Sequence, residues 1–192
     1  MSKKMSILPF PKLYPSAKLH YERLSLENFE HLYKLFKGDK SPYVLEDFKN
    51  RQDTKDYVKE RLEVTQSVTR SGCDWFIKTQ NKTYAGILHL YELNRNKKSD
   101  SCCIGISITK RFRCQGIASE AIQHLLNSIF AHFEHIKTVT AYTKPDNINM
   151  INLLKKLNFS TPYDDCIDSE IYSFFRCRRD AIFRVSEALE MP

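Results

Sequence analysis

The chain has 192 residues, of which 42% are hydrophobic and 12% aromatic, and this composition excludes a disordered chain and favours one folded domain. The net charge is +7, but the basic residues are scattered, which disfavours nucleic-acid binding and keeps it only as an alternative. No apolar run approaches the roughly 20 residues of a membrane span, and the first 16 residues lack a signal-peptide core, so we expect a cytoplasmic protein without membrane contact.

The six cysteines form no C-x-x-C pair and no Cys/His cluster with zinc spacing. In a chain without a secretion signal, this pattern indicates reduced thiols rather than disulfides. We therefore predict free cysteines and no metal site.

The first half of the chain predicts one strand, two helices and three further strands. Asp53 is the predicted N-cap of the second helix, and the pair Asn81-Lys82 is the predicted turn between the second and third strands. The strands are closely spaced, so they should pair antiparallel. The predicted strands are Leu19–Leu26, Asp74–Thr79, Tyr84–Tyr91 and Ser101–Ile108, and the predicted helices are Asn28–Phe36 and Thr54–Val68.

The second half alternates helices and strands. A strand, helix and strand in succession favour parallel pairing of the two strands. The predicted helices are Ile117–Phe133, Asn147–Leu157 and an amphipathic tail over Asp180–Glu190, and the predicted strands are Thr138–Tyr142 and a final hairpin of Ser160–Tyr163 with Ile171–Cys177. The order predicts a mixed sheet with helices on both faces.

The stretch from Arg113 to Ala118 joins an apolar strand to a strongly periodic helix. Such a junction aims backbone N–H groups without helical partners, and the positive end of the helix dipole, at one spot that suits phosphate. Gly116 lets the backbone approach a ligand, and Arg113 adds a permanent positive charge. The junction therefore predicts an anion site.

The pattern Arg-x-x-Gly-x-Ala of this stretch resembles the acetyl-CoA-binding motif of the GNAT N-acetyltransferase superfamily. Three further segments resemble its ribosomal-protein N-terminal acetyltransferase branch: Glu22-Arg23-Leu24, Ile104-Gly105-Ile106, and the helix from Asn147 to Phe159. The resemblance implies an α/β (α+β) fold with a mixed, mostly antiparallel sheet of six to seven strands. Helices cover both faces, and the sheet splays between its fourth and fifth strands.

The resemblance also implies where acetyl-CoA, the co-substrate, binds. Main-chain groups around Ile106 and Ile108 would pair with the pantetheine arm, and Arg113 would reach a CoA phosphate. Asn147 would touch the pantetheine, or act only as an N-cap of the helix that follows. The backbone amides expected to hold the pyrophosphate are those of Cys114, Gln115, Gly116, Ile117 and Ala118.

The chemistry implied is direct attack of a neutral amine on the thioester, which needs a proton acceptor and a stabilised oxyanion. The chain departs from the family here, because the positions of the usual proton-transferring residues are Leu154, Met150 and Pro162. The remaining candidates are His89, whose intrinsic pKa suits a base, and Tyr142, with Tyr91 and Tyr172 as weaker choices. Catalysis mainly by positioning is the alternative.

The leading hypothesis is an acetyl-CoA-dependent N-acetyltransferase whose acceptor is a protein N-terminus or a small-molecule amine. A non-catalytic acyl-CoA-binding or regulatory module is the second hypothesis, and a nucleic-acid-binding protein the third. We divide the chain into an N-terminal extension (1–18), an N-acetyltransferase domain (19–178) and a C-terminal amphipathic helix (179–192). That last helix either closes the domain or docks a second subunit, which would make a homodimer.

Overall fold

The computed structural model describes residues 9–44, 48–69, 71–95, 98–160 and 162–182. These residues form one seven-stranded sheet with helices on both of its faces. In chain order the elements are β1 (Leu19–Arg23), α1 (Phe29–Phe36), α2 (Arg51–Gln66), β2 (Ser71–Thr79), β3 (Tyr84–Leu93), β4 (Ser101–Ile108), a 3-10 turn (Lys110–Phe112), α3 (Ile117–His132), β5 (Thr138–Thr143), α4 (Ile148–Lys156), β6 (Tyr163–Ile167) and β7 (Glu170–Arg178).

The strand order across the sheet is β1-β2-β3-β4-β5-β7-β6. β4 and β5 pair in parallel, and the other neighbouring strands pair antiparallel. The right-handed crossover rule explains the parallel pair, since α3 carries the chain from the end of β4 back to the start of β5. The mixed, mostly antiparallel sheet predicted from the sequence is confirmed.

The parallel ladder between β4 and β5 is short. It joins Ser101, Cys102 and Cys103 to the first residues of β5 and then stops, although β4 continues to Ile108 and β5 to Thr143. Beyond Cys103, β4 pairs with β3 alone and β5 with β7 alone. The sheet therefore opens on this side, as the predicted splay between the fourth and fifth strands requires.

Two apolar layers hold the helices against the sheet. Helices α3 and α4 cover one face, with Leu125 and Ile129 of α3 fully buried there. Helices α1 and α2 cover the other face, where Phe36 and Val58 pack on Phe76 of β2. The smaller second layer lies over β2 and β3, and it brings α2 above the strand that carries Asp74.

Several sequence predictions need correction or lie beyond the described residues. β1 ends at Arg23 rather than at Leu26, and β2 begins at Ser71 rather than at Asp74. Helix α2 begins one turn earlier than predicted because Asn50, rather than Asp53, caps it: the Asn50 side chain accepts hydrogen bonds from the backbone N–H groups of Gln52 and Asp53 at 2.7 and 3.0 Å. The first arm of the hairpin is Tyr163–Ile167 instead of Ser160–Tyr163. Residues 179–182 are helical, and the remainder of the predicted tail helix lies outside the described residues.

Candidate active site

The gap between β4 and β5 holds two adjoining cavities. The first, here called the outer cleft, has a volume of about 460 Å³ and runs from Ile106 and Ile108 on β4 to the loop before α3. The second, here called the inner cavity, has a volume of about 80 Å³ and is lined by His89, Gly105 and Tyr142. Both are lined by Ile106, Ser107, Asn147 and Met150, so they adjoin where the two strands separate.

The loop before α3 has a backbone conformation that suits an anion. Gly116 is the N-cap of α3 with φ +78°, and no side chain caps the helix there. A Cβ at Gly116 would meet no atom of the described residues within 4 Å, so these residues leave space beside the loop. The N–H groups of the first turn, including Ile117 and Ala118, have no intrahelical acceptor and lie at the positive end of a 16-residue helix.

Arg113 joins this loop to the other face of the protein. Its Nε donates to the carbonyl oxygen of Ile108 at 2.9 Å, and its Nη2 donates to Oδ2 of Asp39 at 2.6 Å. Asp39 lies in the connection between α1 and α2, 74 residues away in the chain. Arg113 also lines the outer cleft and remains 33% exposed, so the guanidinium is fixed in direction at the cleft wall.

The other predicted cofactor residues divide into two groups. The first group lines the outer cleft and consists of Cys114, Ile117 and Ala118. Cys114 is exposed and adopts φ +59°. The Gln115 side chain instead turns back and donates to the carbonyl oxygen of Arg111 at 2.8 Å, so that its backbone amide is what this residue can offer a ligand.

Asn147 is the N-cap of α4, which was one of the two roles considered from the sequence. Its Oδ1 accepts a hydrogen bond from the N–H of Met150 at 3.4 Å and so caps α4, while its Nδ2 donates to Oγ1 of Thr143 at 2.8 Å. The side chain also lines both cavities. The cap fixes the amide at the point where a ligand would pass from one cavity to the other.

His89 lies at the inner cavity and is held by a buried carboxylate. Its Nδ1 is 2.7 Å from Oδ1 of Asp74, and both side chains are only 2% exposed. Arg61 of α2 donates to the same carboxylate from Nε and Nη2 at 2.8 and 2.9 Å. Burial alone would raise the pKa of Asp74, but the hydrogen bond and charge of His89 and the two bonds from Arg61 lower it below the ordinary aspartate value.

Gly105 keeps the region in front of His89 clear. It is paired with His89 across β3 and β4, and a Cβ there would come within 3.1 Å of Cε2 of Tyr91 and 3.6 Å of Cδ2 of His89. The Tyr91 ring stacks on the imidazole at a centroid distance of 5.4 Å. The glycine of the Ile-Gly-Ile segment therefore leaves room for a ligand beside the two rings.

Tyr142 lies at the rim of the inner cavity and is 37% exposed. Its ring contacts those of Tyr172 and Phe174, each at a centroid distance of 5.5 Å. Partial burial, with smaller effects of Cys103 and Glu92, raises the pKa of Tyr142 above the ordinary tyrosine value. Tyr142 therefore stays protonated at neutral pH and can donate a hydrogen bond.

The family positions that the sequence lacks are placed as apolar walls. Leu154 is 1% exposed and lines the inner cavity, and Met150 lines both cavities. Neither side chain can transfer a proton. Among the residues described here, no group of three or more His, Cys, Asp or Glu side chains could hold a metal ion.

Sequence reasoning missed Asp74 and Arg61. One signal for Asp74 was available, because it is a single charged residue in the apolar run from Cys73 to Ile77. A charge in such a run needs a buried partner. The turn at Asn81-Lys82 did not reveal the partner, because a register shift between Ile77 and Lys78 separates the turn from the pair of Asp74 and His89. Nothing in the sequence marked Arg61 as a buried partner, because it lies in a helix rich in exposed charges.

The family model described as "Acetyltransferase (GNAT) domain" matches residues 18–160. The match covers most of the chain and includes the loop before α3, both strands of the gap and helix α4. The chain therefore belongs to the GNAT N-acetyltransferase family. No curated protein sequence matches the chain.

Solved structures of GNAT acetyltransferases share the fold. RimL, a ribosomal L7/L12 alpha-N-protein acetyltransferase solved in complex with coenzyme A, is 18% identical with a TM-score of 0.73, over 88% of this chain and 98% of that one. A Salmonella typhimurium acetyltransferase that modifies the N-terminal serine of L7/L12 is 17% identical, with a TM-score of 0.71 over 85% of this chain and 96% of that one.

A spermidine N-acetyltransferase from Vibrio cholerae, in complex with CoA and spermine, is 12% identical, with a TM-score of 0.70 over 88% of this chain and 99% of that one. At these identities the likeness establishes the fold and leaves the acceptor open. None of the helices in the described part of the chain is both long and apolar enough to cross a membrane.

Proposed function

We propose that the protein transfers an acetyl group from acetyl-CoA to a primary amine, by direct attack of the amine on the thioester carbonyl. The observation that carries this proposal is the gap in the sheet beyond Cys103. It joins the loop before α3, through a cleft of about 460 Å³, to a small cavity lined by an imidazole and a phenol. This is the order of groups that the transfer requires.

Acetyl-CoA fits the outer cleft by charge and by backbone geometry. The amides of residues 114–118 would hold the pyrophosphate at the N-terminus of α3, and Arg113 would add its fixed charge. Within the described part of the chain, no strand lies beside the edge of β4 that faces the gap, from Ile104 to Ile108. Its main-chain groups around Ile106 and Ile108 would pair with the amides of the pantetheine arm, and Asn147 would contact that arm where the two cavities adjoin.

The reaction uses the inner cavity. The attacking amine must be neutral, so a group at the cavity has to accept its proton, and His89 is the candidate with a suitable intrinsic pKa. A main-chain N–H of β4 would stabilise the oxyanion, and Tyr142 would donate a hydrogen bond to the departing thiolate. The acceptor is a protein N-terminus or a small-molecule amine that enters from the side of Tyr142 and Tyr172.

Calorimetric titration with acetyl-CoA tests the cofactor site. We expect micromolar binding by the wild type, loss of binding in Gly116→Trp because the indole would fill the open space beside the loop, and weaker binding in Arg113→Ala. Gly38→Trp is the matched control, because Gly38 has φ +77° and none of the described residues within 4 Å of a Cβ built there, yet lies outside the outer cleft. It shares the backbone strain and should keep its affinity.

The remaining hypotheses give different results in the same series. Binding of acetyl-CoA without turnover of any peptide or polyamine would support the non-catalytic module, for which the apolar Leu154 and Met150 are the structural argument. No binding by the wild type would contradict the transferase proposal. Steeply salt-dependent binding to DNA or RNA would then support the nucleic-acid alternative suggested by the net charge.

A further inference from the structure

We propose that Asp39 is a positioning residue, which holds Arg113 for acetyl-CoA and holds one wall of the acceptor cavity in place. The inference rests on the proposed acetyl transfer and goes beyond it, because no step of that reaction assigns a role to Asp39. The side chain of Asp39 is 10% exposed and lines neither the outer cleft nor the inner cavity. Asp39 therefore acts through the groups that it holds.

The carboxylate of Asp39 divides its two oxygens between two partners. Oδ2 accepts a hydrogen bond from Nη2 of Arg113 at 2.6 Å, and Oδ1 accepts one from the backbone N–H of Ser41 at 3.1 Å. The backbone N–H of Asp39 itself donates to the carbonyl oxygen of Phe36 at 2.9 Å. Phe36 is the last residue of α1 and is 1% exposed, so the position of Asp39 is tied to the core.

Arg113 is the partner on the side of the cofactor. Its Nε also donates to the carbonyl oxygen of Ile108, the last residue of β4, so the guanidinium is held at two points. A side chain that is already held loses less conformational freedom when it contacts a phosphate than a mobile one would. Asp39 therefore raises the affinity for acetyl-CoA, although its own charge repels this anion.

The cations around Arg113 explain why a carboxylate is needed to hold it. Asp39 and Arg113 both line a third cavity, here called the basic cleft, with a volume of about 710 Å³. Among the described residues that line it, Asp39 is the one acidic side chain. The five further cations are Lys34, Lys37, Lys40, Lys110 and Arg111. Because like charges repel, these side chains oppose the position of the guanidinium, and the bond to Asp39 offsets that repulsion.

Ser41 is the partner on the side of the acceptor, and it begins a segment of residues 41–44, here called the wall segment. Ser41, Tyr43 and Val44 line the outer cleft, and Pro42 and Tyr43 line the inner cavity. The hydroxyl of Tyr43 donates to the carbonyl oxygen of Asp146, in the loop before α4, at 3.4 Å. The wall segment therefore borders both cavities, and Asp39 fixes its first residue.

The charge of Asp39 and its positioning role predict opposite effects on cofactor affinity. If only the charge mattered, Asp39→Ala would bind acetyl-CoA more tightly, since it removes a negative charge beside a site for phosphates. Positioning predicts the reverse, and we expect the Kd in calorimetry to rise about tenfold. Asp39→Asn has one oxygen for two donors and should fall between Asp39→Ala and the wild type. Binding as tight as that of the wild type, or tighter, in Asp39→Ala would overturn the proposal.

A double variant tests whether Asp39 acts through Arg113. In the Arg113→Ala background, the additional change Asp39→Ala should raise the Kd for acetyl-CoA by no more than about twofold, because the guanidinium that Asp39 holds is already gone. An equal loss of affinity in both backgrounds would show that Asp39 acts by another route, and would overturn the assignment.

The kinetic constants test the second partner, Ser41. With acetyl-CoA at saturation, Asp39→Ala should raise the KM for the peptide or polyamine that the wild type acetylates about fivefold, because the wall segment is no longer fixed. The value of kcat should stay within about twofold, since the carboxylate takes no part in proton transfer. A fall in kcat with an unchanged KM would assign Asp39 to the chemical step and contradict a positioning role.

Glu30→Ala is the matched control. Glu30 of α1 also accepts a hydrogen bond from an arginine, with Nε of Arg51 at 3.1 Å, but Glu30 lines none of the three cavities. The change removes the same charge and the same kind of ion pair, and it should leave the Kd for acetyl-CoA and the acceptor KM within about twofold. Losses as large as those in Asp39→Ala would mean that any broken ion pair near α1 is sufficient.

A measurement on the wild type keeps the proposal testable if Asp39→Ala fails to fold. In an NMR titration, the amide resonance of Ser41 should shift when the Asp39 carboxylate is protonated, because the amide donates to that carboxylate. An amide that does not respond would overturn the proposed link to the wall segment.

Failure of this inference differs from failure of the proposed function. If the wild type binds acetyl-CoA and acetylates an amine from a panel of peptides and polyamines, but Asp39→Ala keeps the wild-type Kd and KM, the role of Asp39 is wrong and the transferase stands. If the wild type neither binds acetyl-CoA nor acetylates any amine of the panel, both proposals fail together.

Discussion

Asn158 ends α4 in a left-handed conformation, with φ +63°, a conformation that favours glycine. The N–H of Phe159 donates to the carbonyl of Leu154, and that of Asn158 to the carbonyl of Lys155, which is the bonding pattern of a Schellman cap. Phe159 and Leu154 are both buried in the α3–α4 layer. Asparagine tolerates this conformation better than other side chains, which explains how the chain keeps the cap without the glycine.

Asn158→Val should therefore lower the free energy of unfolding by about 1–2 kcal/mol, since a β-branched residue is strained at positive φ. Urea denaturation measures the change. Asn152→Val is the control, because Asn152 is an exposed residue inside α4 and the two residue types have similar helix propensities. Equal stabilities for the two variants would contradict the role given to the backbone of Asn158.

At the scale of elements, β3 and β4 approach each other closely at Gly86. A Cβ at Gly86 would lie 2.2 Å from the carbonyl oxygen of Ser107 and 3.1 Å from Cα of Ile108. Both contacts are with backbone, which cannot rotate away as a flexible side chain would. The strand must therefore shift where it forms the wall of the outer cleft.

Gly86→Ala should destabilise the fold by about 3 kcal/mol, the upper end of the range for overpacking. Because the shift falls on Ser107 and Ile108, we also expect acetyl-CoA binding to weaken about tenfold in the fraction that remains folded. Thermal denaturation and calorimetry measure the two effects. A variant as stable as the wild type would show that β4 can move at no cost, contrary to the geometry.

Sequence patterns predicted the elements that have a marked boundary or a buried face. β4 was placed correctly from its apolar run, and α3 from its periodicity and the glycine before it. β6 was misplaced because Tyr163–Ile167 is an edge strand whose residues are almost all exposed, so that no alternation marks it. The start of α2 was missed because Asn50 and Asp53 are both good N-caps, and the choice between them depends on the backbone N–H groups they reach.

The candidate site, like the fold, was only partly predictable from the sequence. The loop from Arg113 to Ala118 can be recognised from local sequence, since the proposed anion site consists of one turn and one helix start. The cluster of Arg61, Asp74 and His89 depends on strand register and on the packing of a helix over two strands. The bond between Arg113 and Asp39 joins positions 74 residues apart, and no local pattern predicts a contact of that kind.

At the scale of the whole molecule, the protein consists of two parts of one sheet that are joined at one end. One part is β1–β4, and the other is β5, β7 and β6. Three residue pairs between β4 and β5 connect the two parts. Arg179, just after β7, reinforces this closed end by donating to the carbonyls of Phe133 and Ile136 that follow α3. The net charge of +7 favours the approach of an anion such as acetyl-CoA to the protein as a whole.

Hydrogen exchange of the backbone amides should report this division. In the free protein, amides of Ile104–Ile108 that point into the gap should exchange faster than those of Ser101–Cys103, because only the latter have β5 beside them. Saturating acetyl-CoA should slow exchange in Ile104–Ile108, since the pantetheine arm would take the place of the missing strand. Exchange in β1 and β2 should not change, and Gly116→Trp should show no ligand effect anywhere.

Equal protection along the whole of β4 in the free protein would contradict an open gap. Unchanged exchange in Ile104–Ile108 at a ligand concentration that saturates the calorimetric titration would place acetyl-CoA elsewhere on the molecule.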